Sequence, residues 1–209
     1  SVVSTAKRFL TVTRIATSAA ATGNVTVGTN GYVVTDTPRR VIVTSAGDDS
    51  NKTFTFTGTD WNGNAITEVL TGANTGAAQT VYDYSTVDLI VLSAATASTG
   101  IIIGTNGVAS SRPIFADQFG FAPTTLQAVI SGTVNYTVQQ TLDNPNGPVG
   151  GPGVTAYAST TWFNHPDSAL VAASTSQQGN YGYIPNMTRI TLNSGTGSVT
   201  YKVLQAGPI

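Results

Sequence analysis

The chain has 209 residues, a formal net charge of −1, 9% charged residues, one His and no Cys. Without Cys there are no disulfides, thiolate nucleophiles or thiolate metal sites. Without a basic surplus no stripe neutralises phosphates, so nucleic acid is not an expected partner. An apolar fraction of 40% with many β-branched residues belongs to a folded chain rather than a disordered one. No apolar run has the length of a membrane-spanning helix, so no membrane partner is expected.

The N-terminal residues 1–14 carry Lys7, Arg8 and Arg14 in a Thr- and Ala-rich setting with no apolar stretch of the kind a signal peptide needs. They read as an arm, with those three cations as candidate partner contacts. Residues 25–31 (Val-Thr-Val-Gly-Thr-Asn-Gly) are echoed by residues 101–107 (Ile-Ile-Ile-Gly-Thr-Asn-Gly), which predicts two similar strands, neighbours in one sheet. Residues 40–44 and 88–92 are apolar runs of strand length. Residues 53–59 alternate Thr with Phe, and 65–71 alternate again across Asp60-Trp61-Asn62-Gly63-Asn64, which predicts a hairpin. Residues 135–142 and 198–204 alternate too. Further turns are expected at Asn30-Gly31, Asn106-Gly107, Asn146-Gly147 and Asn193-Ser194-Gly195. One short helix is expected after Asn164, with Pro166 and Asp167 in its first turn and residues 169–173 following.

Residues 1–112 hold seven basic and seven acidic side chains, whereas 113–209 hold two and three, so the composition shifts near 112–124. The expected fold is all-β: two β-sandwich domains, immunoglobulin-like or jelly-roll-like, over 1–112 and 113–209. The second carries a Gly/Pro loop at 143–153, whose Asn144, Pro145, Asn146 and Pro148 are candidate partner contacts.

Catalytic constellations are scarce. Asp60 to Asn64 has acidic and amide oxygens, but an EF-type calcium loop wants Gly sixth and Glu twelfth, where this chain has Ala65 and Thr71. A hairpin turn accounts for the same residues. Asp48-Asp49 lacks a third anionic ligand and reads as a solvated loop. His165 has no nucleophile-elbow Gly-x-Ser-x-Gly to serve, and reads as a residue that bonds locally or packs on Trp162. Glu68 is the sole Glu, and nothing pairs it with an Asp for glycoside hydrolysis. No catalytic, metal or cofactor residues are therefore assigned. Trp61, Tyr181 and Tyr183 are read as loop aromatics, able to stack on a sugar or to fill a core or subunit contact.

Two stretches carry a resemblance. The first runs Thr37-Pro38-Arg39-Arg40-Val41-Ile42-Val43-Thr44 to Ser50, then Phe54 to Glu68. The second joins Tyr136 to Pro145 with Thr161-Trp162-Phe163-Asn164-His165-Pro166-Asp167, Tyr183-Ile184-Pro185 and residues 189–193 and 203–205. Both resemble β-rich modules of tailed-bacteriophage structural proteins. The resemblance covers most of the chain and brings no catalytic residues. It implies a virion protein made in the host cytoplasm. The expected role is non-enzymatic: a head decoration or cement protein that binds the major capsid protein and copies of itself as a homo-oligomer. The alternative is a tail, baseplate or fibre component that binds host glycans. In this reading Trp61, Trp162 and Arg189 are structural anchors, with Trp162 in the core and Arg189 paired beside a strand.

Overall fold

A computed structural model describes residues 2–7, 14–19, 23–28, 30–97, 99–117, 123–145, 153, 155 and 159–205. The protein is all-β, built on antiparallel ladders such as β5–β6, β12–β15 and β11–β16, with no α-helix among the described residues. It divides into two compact units: Thr11–Asn106, and Ser1–Leu10 together with Gly107–Ile209. The division therefore falls a few residues before the compositional shift, and the first strand, β1 (Val2–Lys7), belongs with the C-terminal unit.

The N-terminal unit contains β2 (Arg14–Ala19), β3 (Gly23–Val25), β4 (Val33–Asp48), β5 (Thr53–Thr59), β6 (Ala65–Thr71), β7 (Asn74–Gln79), β8 (Tyr84–Leu92) and most of β9 (Thr99–Ser110). The hairpin of β5 and β6 has the predicted arms, in register from Thr53↔Thr71 to Thr59↔Ala65. On its other side β5 pairs with β8, which also pairs with β3 and β4. Alternation sends Phe54, Phe56 and Gly58 inward and leaves the Thr side chains half-exposed on the outer face. Phe54 and Phe56 are fully buried with Tyr84, Val87, Ile90, Val41 and Val43. Each such side chain contributes about 1.5–3 kcal/mol of apolar transfer.

The echoed segments do not mark neighbours. β3 pairs with β8 and β9 pairs with β2. The first copy bends at Gly28 and Gly31, whose φ angles are 58° and 81°. The second runs straight through Asn106-Gly107 as strand. There Ile101, Ile103, Thr105, Gly107 and Ala109 form one inward row, and this period-two burial overrides the Asn-Gly turn signal.

The C-terminal unit adds β10 (Ile114–Phe115), β11 (Thr124–Ser131), β12 (Val134–Thr141), β13 (Phe163–Asn164), β14 (Gln177–Tyr181), β15 (Met187–Gly195) and β16 (Ser198–Gln205). One sheet has the order β1-β16-β11-β14. β12 pairs with β13 and β15, and β15 also pairs with β10 and the end of β9. Leu126, Ala128, Tyr201 and Val203 of the first group meet Tyr136, Val138, Ile190 and Leu192 of the second in one hydrophobic core. Asn193, expected in a turn, lies inside β15, where its amide donates to Asn135 and Thr137 at 2.7 and 2.9 Å. The turn comes later, where the Thr196 and Gly197 amides both donate to the Thr133 carbonyl. The expected helix shrinks to a single 3-10 turn, Ser168–Leu170, capped by Asp167 rather than Asn164. Asn164 is held in β13 instead, opposite Gln139.

Candidate binding surfaces

Several acidic side chains of the N-terminal unit hold the fold. Asp60, 1% exposed, accepts from the Asn62 and Asn64 amides at 2.8 and 2.9 Å and from the Asn64 side chain. Gly63 takes the positive φ the turn needs. This is the hairpin turn expected from the sequence, not a cation loop. Glu68 accepts from the Val81 and Tyr82 amides, one through each carboxylate oxygen, at 2.7 and 3.0 Å.

Asp48 and Asp49 part company. Asp48 is exposed and caps Ser50. Asp49 is fully buried, not solvated, and corrects the expectation: it pairs with Lys52 at 2.8 Å and accepts from the Ala97 amide at 2.7 Å. Burial pushes its carboxyl up, but Lys52, that amide and the Ser45 hydroxyl outweigh it and hold the carboxyl below its ordinary value. Arg39 is clamped by both oxygens of Asp36 at 2.5 and 2.8 Å, and Arg40 lies 3.6 Å from Asp83. No group of three or more His, Asp or Glu side chains is placed to hold a metal ion among the described residues.

In the C-terminal unit Arg189 is buried beneath Trp162, its guanidinium 4.1 Å from the ring centroid. Its Nε donates to Gln139 Oε1 at 3.0 Å, and Gln139 Nε2 donates to Asn164. Arg189 is bonded, as expected, but from within β15 rather than beside a strand. Trp162 is half-buried over it rather than a core residue, because register puts Arg189, Gln139 and Asn164 on the same outer face. Trp61 is half-buried in the hairpin turn.

His165 is buried and packs on Tyr181, ring centroids 4.6 Å apart, rather than on Trp162. Its Nδ1 accepts from the Asp167 amide at 3.0 Å. Burial lowers its pKa, with Asp167 pulling the other way. Tyr181, expected on a loop, ends β14 in the core, and burial pushes its hydroxyl pKa well up; Tyr201 beside it is raised to about 12. Tyr183 is exposed, as expected of a loop aromatic. It borders a groove of about 470 Å³ lined by Gln140, Thr141, Leu142, Asp143, Thr161, Phe163 and Asn164 as well. Sequence reasoning passed over Phe163 and Leu142, because each flanks or falls in a strand whose inward residues are normally covered.

The expected contact residues are dispersed. Residues 2–7 are no free arm: β1 is zipped to β16 from Val2↔Val203 to Lys7↔Ser198. Arg14 starts β2 and pairs with Gly104 of β9 within the N-terminal unit. The Thr- and Ala-rich N-terminus already has β-branched residues enough for strands, and remote partners supply the ladders. Arg8 lies outside the described residues, as do Asn146 and Pro148. Asn144 accepts from the Thr155 amide at 2.8 Å, and Pro145 is buried, which removes it as an exposed contact. No protein-family model matches the chain, and neither curated proteins nor solved structures yield a match.

Proposed function

We propose that this protein is a non-enzymatic structural component of a tailed-phage particle, built of two β-sandwich domains of immunoglobulin-like or jelly-roll-like type. Its place in this reading is the outer head surface, as a decoration or cement protein that bridges major capsid protein subunits and contacts copies of itself. One observation carries the structural role. Asp49, Asp60, Glu68, Asp143 and Asp167 each accept hydrogen bonds that hold a turn, loop or strand end, and Asp36 clamps Arg39 within β4. Carboxylates spent in this way rigidify a scaffold and are poorly placed for general acid–base work. The strands β1 and β14 end one sheet and β6 ends the other, and strand edges of this kind suit association by β-addition. The virion setting rests on the resemblance of residues 37–68 and 136–205.

A cryo-EM reconstruction of the particle tests the reading. Density for the chain on the head lattice is the expected result. Density at the tail alone favours a tail, baseplate or fibre component that binds host glycans, and density nowhere on the particle overturns the virion role.

A further inference from the structure

The groove of the C-terminal unit combines features that the scaffold does not require. Leu142, Phe163 and Tyr183 are 73%, 62% and 47% exposed and border the same concavity. Large apolar side chains gathered at one exposed hollow mark a contact site more often than a fold requirement. Gln140 lines the hollow too and is 6% exposed. Its Nε2 donates to the Tyr183 hydroxyl, while its Oε1 has no hydrogen-bond partner. A buried acceptor left unpaired is costly and calls for a donor.

We propose that this groove binds a neutral saccharide. The ligand must offer an apolar face to Phe163 and Tyr183 and hydroxyl donors to the polar rim, and a pyranose ring has both. The rim offers acceptors: the Gln140 oxygen, the Asp143 carboxylate oxygen that does not bond the Thr161 amide, and the Thr161 hydroxyl. Asp143 is the charged side chain of the lining, and its negative charge disfavours sialylated, sulfated or phosphorylated ligands. A purely apolar ligand leaves the Gln140 oxygen unpaired. An extended peptide finds a poor ladder, since β13 at this edge is two residues long. The volume of about 470 Å³ lies within the ordinary range for a small-molecule site. This assignment stands whether the protein sits on head or tail, and purified protein tests it without the particle.

The full chain is applied to an array of neutral hexose and N-acetylhexosamine oligosaccharides, with their sialylated and sulfated counterparts alongside. The best neutral binder is then titrated by calorimetry against the wild type, Phe163→Ala and Gln140→Met. Phe163 is exposed, so its variant keeps the fold; melting temperatures check both. The expected result is retention of neutral glycans and at least a tenfold loss of affinity in Phe163→Ala at an unchanged melting temperature. Gln140→Met, where it folds, also loses affinity. Failure to retain any neutral glycan, preference for the acidic counterparts, or undiminished binding by Phe163→Ala each overturns the proposal. Capture of an extended peptide that competes for Phe163, with no sugar bound, overturns it in favour of a peptide site.

Discussion

Arg189 stacks its guanidinium 4.1 Å above the centre of the Trp162 ring while its Nε donates to Gln139. Arg189 is 7% exposed, so the charge is largely withdrawn from water and the ring face replaces part of its hydration. The pair ties the β13 region to β15 across β12. Trp162→Leu and Arg189→Met are each expected to destabilise the protein by about 1–2 kcal/mol, with a coupling of about 0.5–2 kcal/mol in the double-mutant cycle. Urea unfolding of the four proteins measures it. A coupling of zero shows that the two side chains act independently.

Asp60 organises the β5–β6 hairpin from a buried position. Its carboxylate satisfies the Asn62 and Asn64 amides of the turn. Asp60→Ala leaves those donors without an acceptor and is expected to cost about 1–3 kcal/mol. Asp60→Asn keeps one acceptor oxygen and costs less. Thermal melts of the two variants read the difference, and equal melting temperatures for Ala and Asn would show that the turn does not depend on the acceptor.

What could be read from the sequence follows from how local each signal is. The hairpin was legible because alternation, turn chemistry and pairing all lie within residues 53–71, and each agrees with the others. β12 and β16 were legible from alternation alone. β1 was not, because its partner β16 lies at the other end of the chain and Val-Val-Ser-Thr-Ala-Lys alternates weakly. Asn106-Gly107 misled for the same reason in reverse: a local turn signal lost to the inward row of β9. The buried state of Asp49 and Pro145 depends on what folds over them, which no local pattern encodes. The groove depends on Gln140, Phe163 and Tyr183 meeting from three separate segments, so only the loop placement of Tyr183 was available beforehand.

Gly58 marks a close approach inside a strand. A Cβ at this position would stand 2.0 Å from the Thr86 carbonyl oxygen, a backbone atom that cannot turn away. The β5–β8 register shifts between Thr57 and Gly58, so the strands accommodate the contact with a local irregularity. Gly58→Ala is expected to destabilise by about 1–3 kcal/mol through overpacking. The neighbouring Thr57→Ala, on the half-exposed face, is the control and should change stability far less. A Gly58→Ala protein as stable as wild type would mean that β5 and β8 part easily at this point.

His165 makes stability depend on pH below its ordinary titration range. It is the only His in the chain, it is 4% exposed, and burial lowers its pKa from the usual 6.5. A folded-state pKa below the unfolded value means that the unfolded chain binds the proton first as pH falls. Its contribution is therefore complete above about pH 6.5 and is lost as pH drops through that value toward the lower folded pKa. Protonation at Nδ1 would also break the bond it accepts from the Asp167 amide. Asp36, Asp48 and Asp49, whose pKa values are lowered, contribute above 3.8 and lose that contribution as pH falls below it, outside this window. Urea midpoints of the wild type are expected to decline between about pH 7.5 and 5. In His165→Asn, which keeps an acceptor for Asp167 but cannot titrate, they should stay level. A parallel decline in both proteins would assign the pH dependence to some other group.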